Sequence, residues 1–243
     1  MNLCLLALCN LCDEYSDRFK QYREFIMIKP LSLSGYPDAS PHILCLGAHS
    51  DDIEIGCGGT ILRLLKTYPN ARVTWVVFSG QGSRVDEAQA SAESFLAGIK
   101  EKQILVKDFR DGFFPYTGAN IKAFFESLKP LEPDIVFTHY RDDRHQDHRV
   151  ISDLTWNTFR DHLVLEYEIP KYDGDLGTPN FYVHLDREIC QQKVQLLVKH
   201  FGTQANKHWF TDETFLAILR LRGIESRAPE QYAEAFYGRK LVW

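Results

Sequence analysis

Two short stretches of this chain concentrate imidazole and carboxylate groups: His49-Ser50-Asp51-Asp52-Ile53-Glu54 and His145-Gln146-Asp147-His148. Neutral imidazole and carboxylate together suit Zn²⁺ or another divalent ion of similar preference. A spare carboxylate beside such an ion can take a proton from bound water. Three protein ligands plus an open position is the usual layout of a catalytic zinc. The available set is His49, one of Asp51 and Asp52, and one of His145 and His148. The acid and imidazole left over are what amide hydrolysis needs as base and as transition-state partner. Each stretch alone has a plainer reading, since Asp-Asp at a turn is often a helix cap and H-x-x-H in a polar loop is usually surface. Their joint occurrence at the ends of strands is what favours metal.

The elements that must position them follow from the hydrophobic pattern. Residues 42–48 form an apolar run of the length and content of a buried parallel strand, and the first acidic turn follows directly. Residues 60–66 have helical spacing, and 72–78 are β-branched and aromatic, a second buried strand. A glycine-bearing loop at 79–84 leads to a helix at 86–100, a strand at 103–109, a turn at Asp111-Gly112 and a helix at 120–128 that stops before Pro130. A fourth strand, 134–139, precedes the polar loop 140–148; a helix at 150–162 and a strand at 163–169 come next. Beyond Pro170 lie a glycine-rich loop (171–180), a strand (181–185) and helices at 187–201 and about 211–222, with a turn at Gly223. Strand and helix alternate, so we expect an α/β fold: a Rossmann-like, doubly wound, mostly parallel sheet in a single domain. Ligands bind outside the carboxyl ends of the strands in such sheets, and loops after different strands open on that same edge. His49 and His148 are therefore expected to be neighbours in space. Arg84, after the second strand, and Tyr140, after the fourth, are candidate substrate-binding residues by position alone.

Composition narrows the class. The 243 residues carry 28 basic against 33 acidic side chains, net charge −5, with no basic block, so no nucleic-acid footprint is expected. No apolar run approaches the roughly 20 residues needed to span a bilayer. Six cysteines (4, 9, 12, 45, 57 and 190) are scattered rather than framed as a disulfide set, which fits a reducing, cytoplasmic compartment. Cys9 and Cys12 make a single C-x-x-C, a weak signal for metal or redox chemistry. Residues 1–26 share none of the later alternation; we expect a dispensable N-terminal extension of uncertain order, with the working domain at 27–243. A homo-oligomer is compatible with the sequence.

The motifs resemble those of a known family. Ala48-His49-Ser50-Asp51-Asp52-Ile53-Glu54, the trailing Gly56 and Gly58-Gly59-Thr60, and the H-x-D-H of His145 to His148 are similar to the PIG-L/LmbE-like zinc-dependent N-deacetylases. The resemblance extends from about His42 to about Tyr237 and implies a Rossmann-like sheet and the removal of acetyl groups from N-acetylglucosamine-type sugars or sugar conjugates. Carried over position by position, it makes His49, Asp52 and His148 the ligands of Zn²⁺, with Fe²⁺ or another divalent ion also compatible. Asp51 becomes the general base, and a protonated His145 the group that stabilises the oxyanion or protonates the leaving amine. Asp147 orients one of the imidazoles. The run Tyr232-Ala233-Glu234-Ala235-Phe236 is implied to line the pocket. Ser50 stands where the family commonly has proline, which removes a fixed φ but no ligand. Two rivals remain: a nucleotide-binding Rossmann protein, and a non-catalytic sugar-binding relative. The first requires a G-x-G-x-x-G directly after the first strand, where this chain has histidine and acids.

Overall fold

The computed structural model describes residues 40–241. The expectations for residues 1–26, including the domain boundary and the C-x-x-C, lie outside the described residues. Seven strands form one sheet: β1 (His42–His49), β2 (Arg72–Ser79), β3 (Glu101–Val106), β4 (Ile135–His139), β5 (Leu163–Tyr167), β6 (Phe181–Leu185) and β7 (Tyr232–Gly238), in the order β3-β2-β1-β4-β5-β7-β6. Strands β1 to β5 pair in parallel, whereas β7 runs antiparallel between β5 and β6. The expected α/β, mostly parallel architecture is thus the observed one.

Among the described residues, six α-helices flank the sheet: α1 (Asp52–Thr67), α2 (Ser83–Phe95), α3 (Gly118–Leu128), α4 (Gln146–Thr158), α5 (Arg187–His200) and α6 (Asp212–Glu225). Alternate side chains of a strand point to opposite faces, and β1 divides accordingly. Ile43 and Cys45 join Ile53, Ile61, Phe95, Leu197 and Phe215 on the face of α1, α2, α5 and α6. Leu44, Leu46 and Ala48 join Ile121, Phe125 and Ile151 on the face of α3 and α4. The helix after β1 therefore lies on one face and the helix after the adjacent β4 on the other. That divergence opens a crevice between the carboxyl ends of β1 and β4, the topological switch point of the sheet.

Several elements differ from the sequence reading. α1 starts at Asp52 rather than at residue 60, so the glycines after the acidic turn are helical. They permit close approach: a Cβ on Gly56 would lie 2.1 Å from the Tyr167 ring. α4 starts at Gln146, which turns the expected loop motif into a helix cap and first turn. Gly223 is inside α6, where the carbonyl of Gln231 passes 2.1 Å from an added Cβ. The run 232–236 is the core of β7, with Ala233, Glu234, Ala235 and Phe236 buried in the sheet.

Candidate active site

β1 ends at His49, the chain turns through Ser50 and Asp51, and Asp52 opens α1. The turn folds back on itself, because the His49 backbone N–H donates to Asp52 Oδ2 at 2.6 Å. Across the crevice, His145 caps the N-terminus of α4, its Nδ1 accepting the Asp147 backbone N–H at 3.3 Å. His148 then sits in the first turn of the helix and faces β1. The switch point brings the two motifs together: His49 Nδ1 lies 3.2 Å from His148 Nε2. Asp52 completes the group, with Oδ2 3.3 Å from His49 Nδ1 and Oδ1 3.5 Å from His148 Nε2. The His145 ring centroid is 4.8 Å from that of His49 and 4.6 Å from that of His148.

The far nitrogens of these rings determine what the near ones can do. His148 Nδ1 meets Asp143 Oδ2 at 2.9 Å. Burial, with the charge of neighbouring His139, pushes the His148 pKa down to about 3. The ring is therefore neutral with its proton on Nδ1, and Nε2 presents a lone pair. His49 Nε2 meets Asp111 Oδ1 at 3.0 Å and Asp147 Oδ2 at 3.3 Å. Asp147 is itself held by the backbone N–H groups of Gly112, at 2.6 Å, and Phe114, at 3.1 Å. A carboxylate on the outer nitrogen of a ligating histidine is the usual second layer of a metal site, and it sets the tautomer. Burial opposes a charge on His49, but Asp52, Asp111 and Asp147 outweigh it and hold the His49 pKa well above the usual range. The point shared by His49, His148 and Asp52 thus attracts positive charge, whether a proton or a metal ion. Metal bonds of 2.0–2.2 Å in tetrahedral array separate neighbouring donors by about 3.4 Å. The His49–His148 separation fits that spacing, and Asp52 flanks the pair, meeting His49 through Oδ2 and His148 through Oδ1.

Asp51 is buried beside the group. Burial raises its pKa, and the Arg84 guanidinium opposes the rise. Arg84 Nη2 donates to Asp51 Oδ1 at 2.8 Å, so this residue, expected to meet substrate, touches an acid of the first motif. The Tyr140 ring stacks on that of Tyr237 at 3.7 Å between centroids. Glu54 is also buried, and burial pushes its pKa up to about 8, so it is an uncharged acid at neutral pH.

Three residues at the site went unrecognised in the sequence. His139 is fully buried at the end of β4, 3.2 Å from Asp52 Oδ2, and its ring stacks on His148 at 3.9 Å. An ionisable residue closing an apolar strand was the available signal. Asp143 lies two positions before His145, and Asp111 had been read only as a turn residue.

Comparison with known proteins identifies the family. Residues 44–159 match the family described as PIG-L, GlcNAc-PI de-N-acetylase. An uncharacterized deacetylase of Escherichia coli (strain K12), YaiS, is 30% identical over 172 residues, covering 65% of this chain and 89% of that protein. The fold is shared with the N,N'-diacetylchitobiose deacetylase of Pyrococcus horikoshii at a TM-score of 0.64 and 20% identity, over 93% of this chain and 91% of the other. It is shared equally with GalB, the 4-carboxy-2-hydroxymuconate hydratase of Pseudomonas putida KT2440, at a TM-score of 0.64 and 15% identity, over 84% and 98%. Fold alone does not choose between these chemistries, whereas the sequence match does. The chain belongs to the PIG-L family of LmbE-like deacetylases.

Proposed function

We propose that this chain is a metal-dependent hydrolase that removes the acetyl group of an N-acetylated amino sugar or sugar conjugate, giving acetate and a free amine. The observation that carries this is the convergence of His49 Nδ1, His148 Nε2 and the Asp52 carboxylate within 3.5 Å of one another. These three residues would hold the ion; Zn²⁺ suits the donor set, as does Fe²⁺. When bound, the ion supplies Lewis acidity toward the acetyl carbonyl and a water that ionises near neutral pH.

The chain's own residues do the rest. Asp51 is the general base: Arg84 engages its Oδ1, leaving Oδ2 to accept the proton of the attacking water. His145 faces the developing oxyanion as a neutral imidazole, in place of the imidazolium that the family resemblance implies. Burial and the charge of His49 lower its pKa, and its Nδ1 accepts an amide proton, so Nε2 carries the N–H that donates. Such a donor is worth on the order of 3 kcal/mol in the transition state. Asp51 then returns its proton to the departing amine. Asp147 and Asp111 orient His49, and Asp143 orients His148.

Among the described residues, no helix is long and apolar enough to cross a membrane. The described cysteines Cys45, Cys57 and Cys190 are free and buried, which supports the cytoplasmic location we assign. The names of the relatives direct the assay toward N-acetylglucosamine and its β-linked dimer. Acetate release should be measured across N-acetylated sugars before and after chelation. Release that depends on readded Zn²⁺ or Fe²⁺ is the expected result, and full activity in a metal-free preparation would overturn the reading.

A further inference from the structure

The glycine-rich segment after β5 is fastened to the second motif at a single ammonium group. Lys171 Nζ lies 2.8 Å from Asp143 Oδ2 and 2.5 Å from Asp175 Oδ2. Asp143 Oδ2 is the same oxygen that receives His148 Nδ1 at 2.9 Å. Around this link the backbone is tied as well. Asp143 Oδ1 accepts the His145 N–H at 2.8 Å, and Asp175 Oδ2 accepts the Arg144 N–H at 2.7 Å. Arg149 Nη1 donates to the carbonyls of Asp143 and Arg144 at 2.9 and 2.6 Å. The segment's far end is held independently: the Gly177 N–H donates to the Tyr237 hydroxyl at 3.0 Å, and its carbonyl accepts from Arg222 at 3.2 Å.

The environment makes the ammonium group necessary. The side chains of Asp143, Asp175 and Lys171 are 2, 6 and 10% exposed, so two carboxylates and one cation share a nearly dry site. Two buried carboxylates converging on one point are mutually repulsive, and the neutral His148 ring offers only a hydrogen bond against that repulsion. Without a cation between them, Asp143 and Asp175 would move apart, and Asp143 would swing away from the ring. That movement removes the acceptor that keeps the His148 proton on Nδ1, and with it the lone pair on Nε2 that faces His49 and Asp52.

We propose that Lys171 is a positioning residue: acting through Asp143, it keeps His148 in its ligating tautomer and so sustains metal affinity. This rests on the metal-site reading above. It assigns Lys171 no contact with substrate or ion.

Zinc titration of the metal-stripped full-length protein, by competition with a chromogenic chelator, tests it. His148→Ala should abolish tight binding, and Asp143→Asn should weaken it by about 10- to 100-fold, as removal of such outer partners does. Lys171→Met should weaken binding about tenfold, with Lys171→Arg within about threefold of the parent protein. Asp175→Asn isolates the route: it removes the charge that ties the segment to Lys171 but leaves Lys171 on Asp143, so affinity should stay within about threefold. Equal affinities for Lys171→Met and the parent protein, while His148→Ala has lost binding, would overturn the proposal and leave the metal site standing. A loss in Asp175→Asn as large as in Lys171→Met would also overturn it, because anchoring of the segment would then be the cause. If the parent protein itself binds no zinc, the metal-site reading fails and this inference with it. Thermal melts of each metal-free variant separate these outcomes from a general loss of fold.

Discussion

Arg84 and Asp51 are paired across the mouth of the site, with Arg84 Nη2 donating to Asp51 Oδ1 at 2.8 Å. The guanidinium comes from the first turn of α2, the helix that follows β2, so the loops of two neighbouring strands meet at the acid. Its other arm reaches the Thr203 hydroxyl at 3.4 Å, and that residue is in turn bonded to Glu87 at 2.7 and 2.9 Å. An arginine so anchored orients a carboxylate. Arg84→Met should therefore lower kcat by about tenfold or more with KM little changed, the pattern of an interaction that serves the transition state. A raised KM with unchanged kcat would return Arg84 to the substrate-binding role suggested by its place in the sequence.

Asp51→Asn separates the base from the ligands. The amide keeps the shape of the carboxylate and can still meet Arg84 through its oxygen, but it cannot accept a proton. Loss of a positioned general base costs typically 10²- to 10⁴-fold. We expect kcat to fall into that range while zinc stoichiometry stays at the parent value. Metal loss alongside activity would make Asp51 a ligand instead.

Much of this site was legible in the residues themselves. The two motifs could be placed together because an apolar run before each marks a strand, and strand ends share an edge of the sheet; the choice of Asp52 over Asp51 and of His148 over His145 came from the family resemblance. What the letters could not reveal was which acid meets which ring. Asp143 and Asp111 both bond to histidines of the group, yet in sequence they look like ordinary loop and turn acids. Arg84 and Tyr140 carried equal weight by position, and only packing separates them: one meets Asp51, whereas the other stacks on Tyr237, a residue of β7. The helix starts were misplaced for a related reason. Glycines 56, 58 and 59 argue for a loop on propensity, but in α1 they let the Tyr167, Phe95 and Leu185 side chains approach, an override that only tertiary contacts supply.

His42 gives a prediction for stability against pH. It opens β1 as a buried side chain, its ring between the Leu131 carbonyl at 3.0 Å and the Thr74 hydroxyl at 2.9 Å. Burial lowers its pKa below the ordinary 6.5, with the Leu131 carbonyl opposing and Arg72 adding to the effect. The unfolded chain consequently binds a proton at His42 more readily than the folded one. Its stabilising contribution is complete above the unfolded pKa and is lost as pH falls toward the folded value, with a slope of at most about 1.4 kcal/mol per pH unit. Urea unfolding of the parent protein and of His42→Gln should therefore converge as pH drops from 7.5 to 5.5. A constant difference across that range would show that His42 titrates alike in both states.

The last prediction concerns the helix that carries Asp52. Lys193 of α5 and Glu234 of β7 form an ion pair at 2.6 Å, with side chains only 2% exposed, against the middle of α1. Lys193 Nζ also donates to the Ile55 carbonyl at 2.6 Å, and Glu234 accepts the backbone N–H groups of Gly59 at 2.8 Å and Thr60 at 2.6 Å. The Ile55 carbonyl and the Gly59 N–H are partners within a regular helix, so the ion pair grips both ends of one α1 hydrogen bond, about one turn beyond Asp52. Removing one member leaves a buried charge with no counter-ion, which costs about 3–5 kcal/mol. Lys193→Met should lose stability in that range. Lys193→Met/Glu234→Gln should recover much of it, because the glutamine oxygen still accepts a backbone proton without bringing an uncompensated charge. Urea unfolding of the two variants measures the difference. A single variant within about 1 kcal/mol of the parent protein would mean that the pair is not what holds α1, and through it Asp52, against the end of β1.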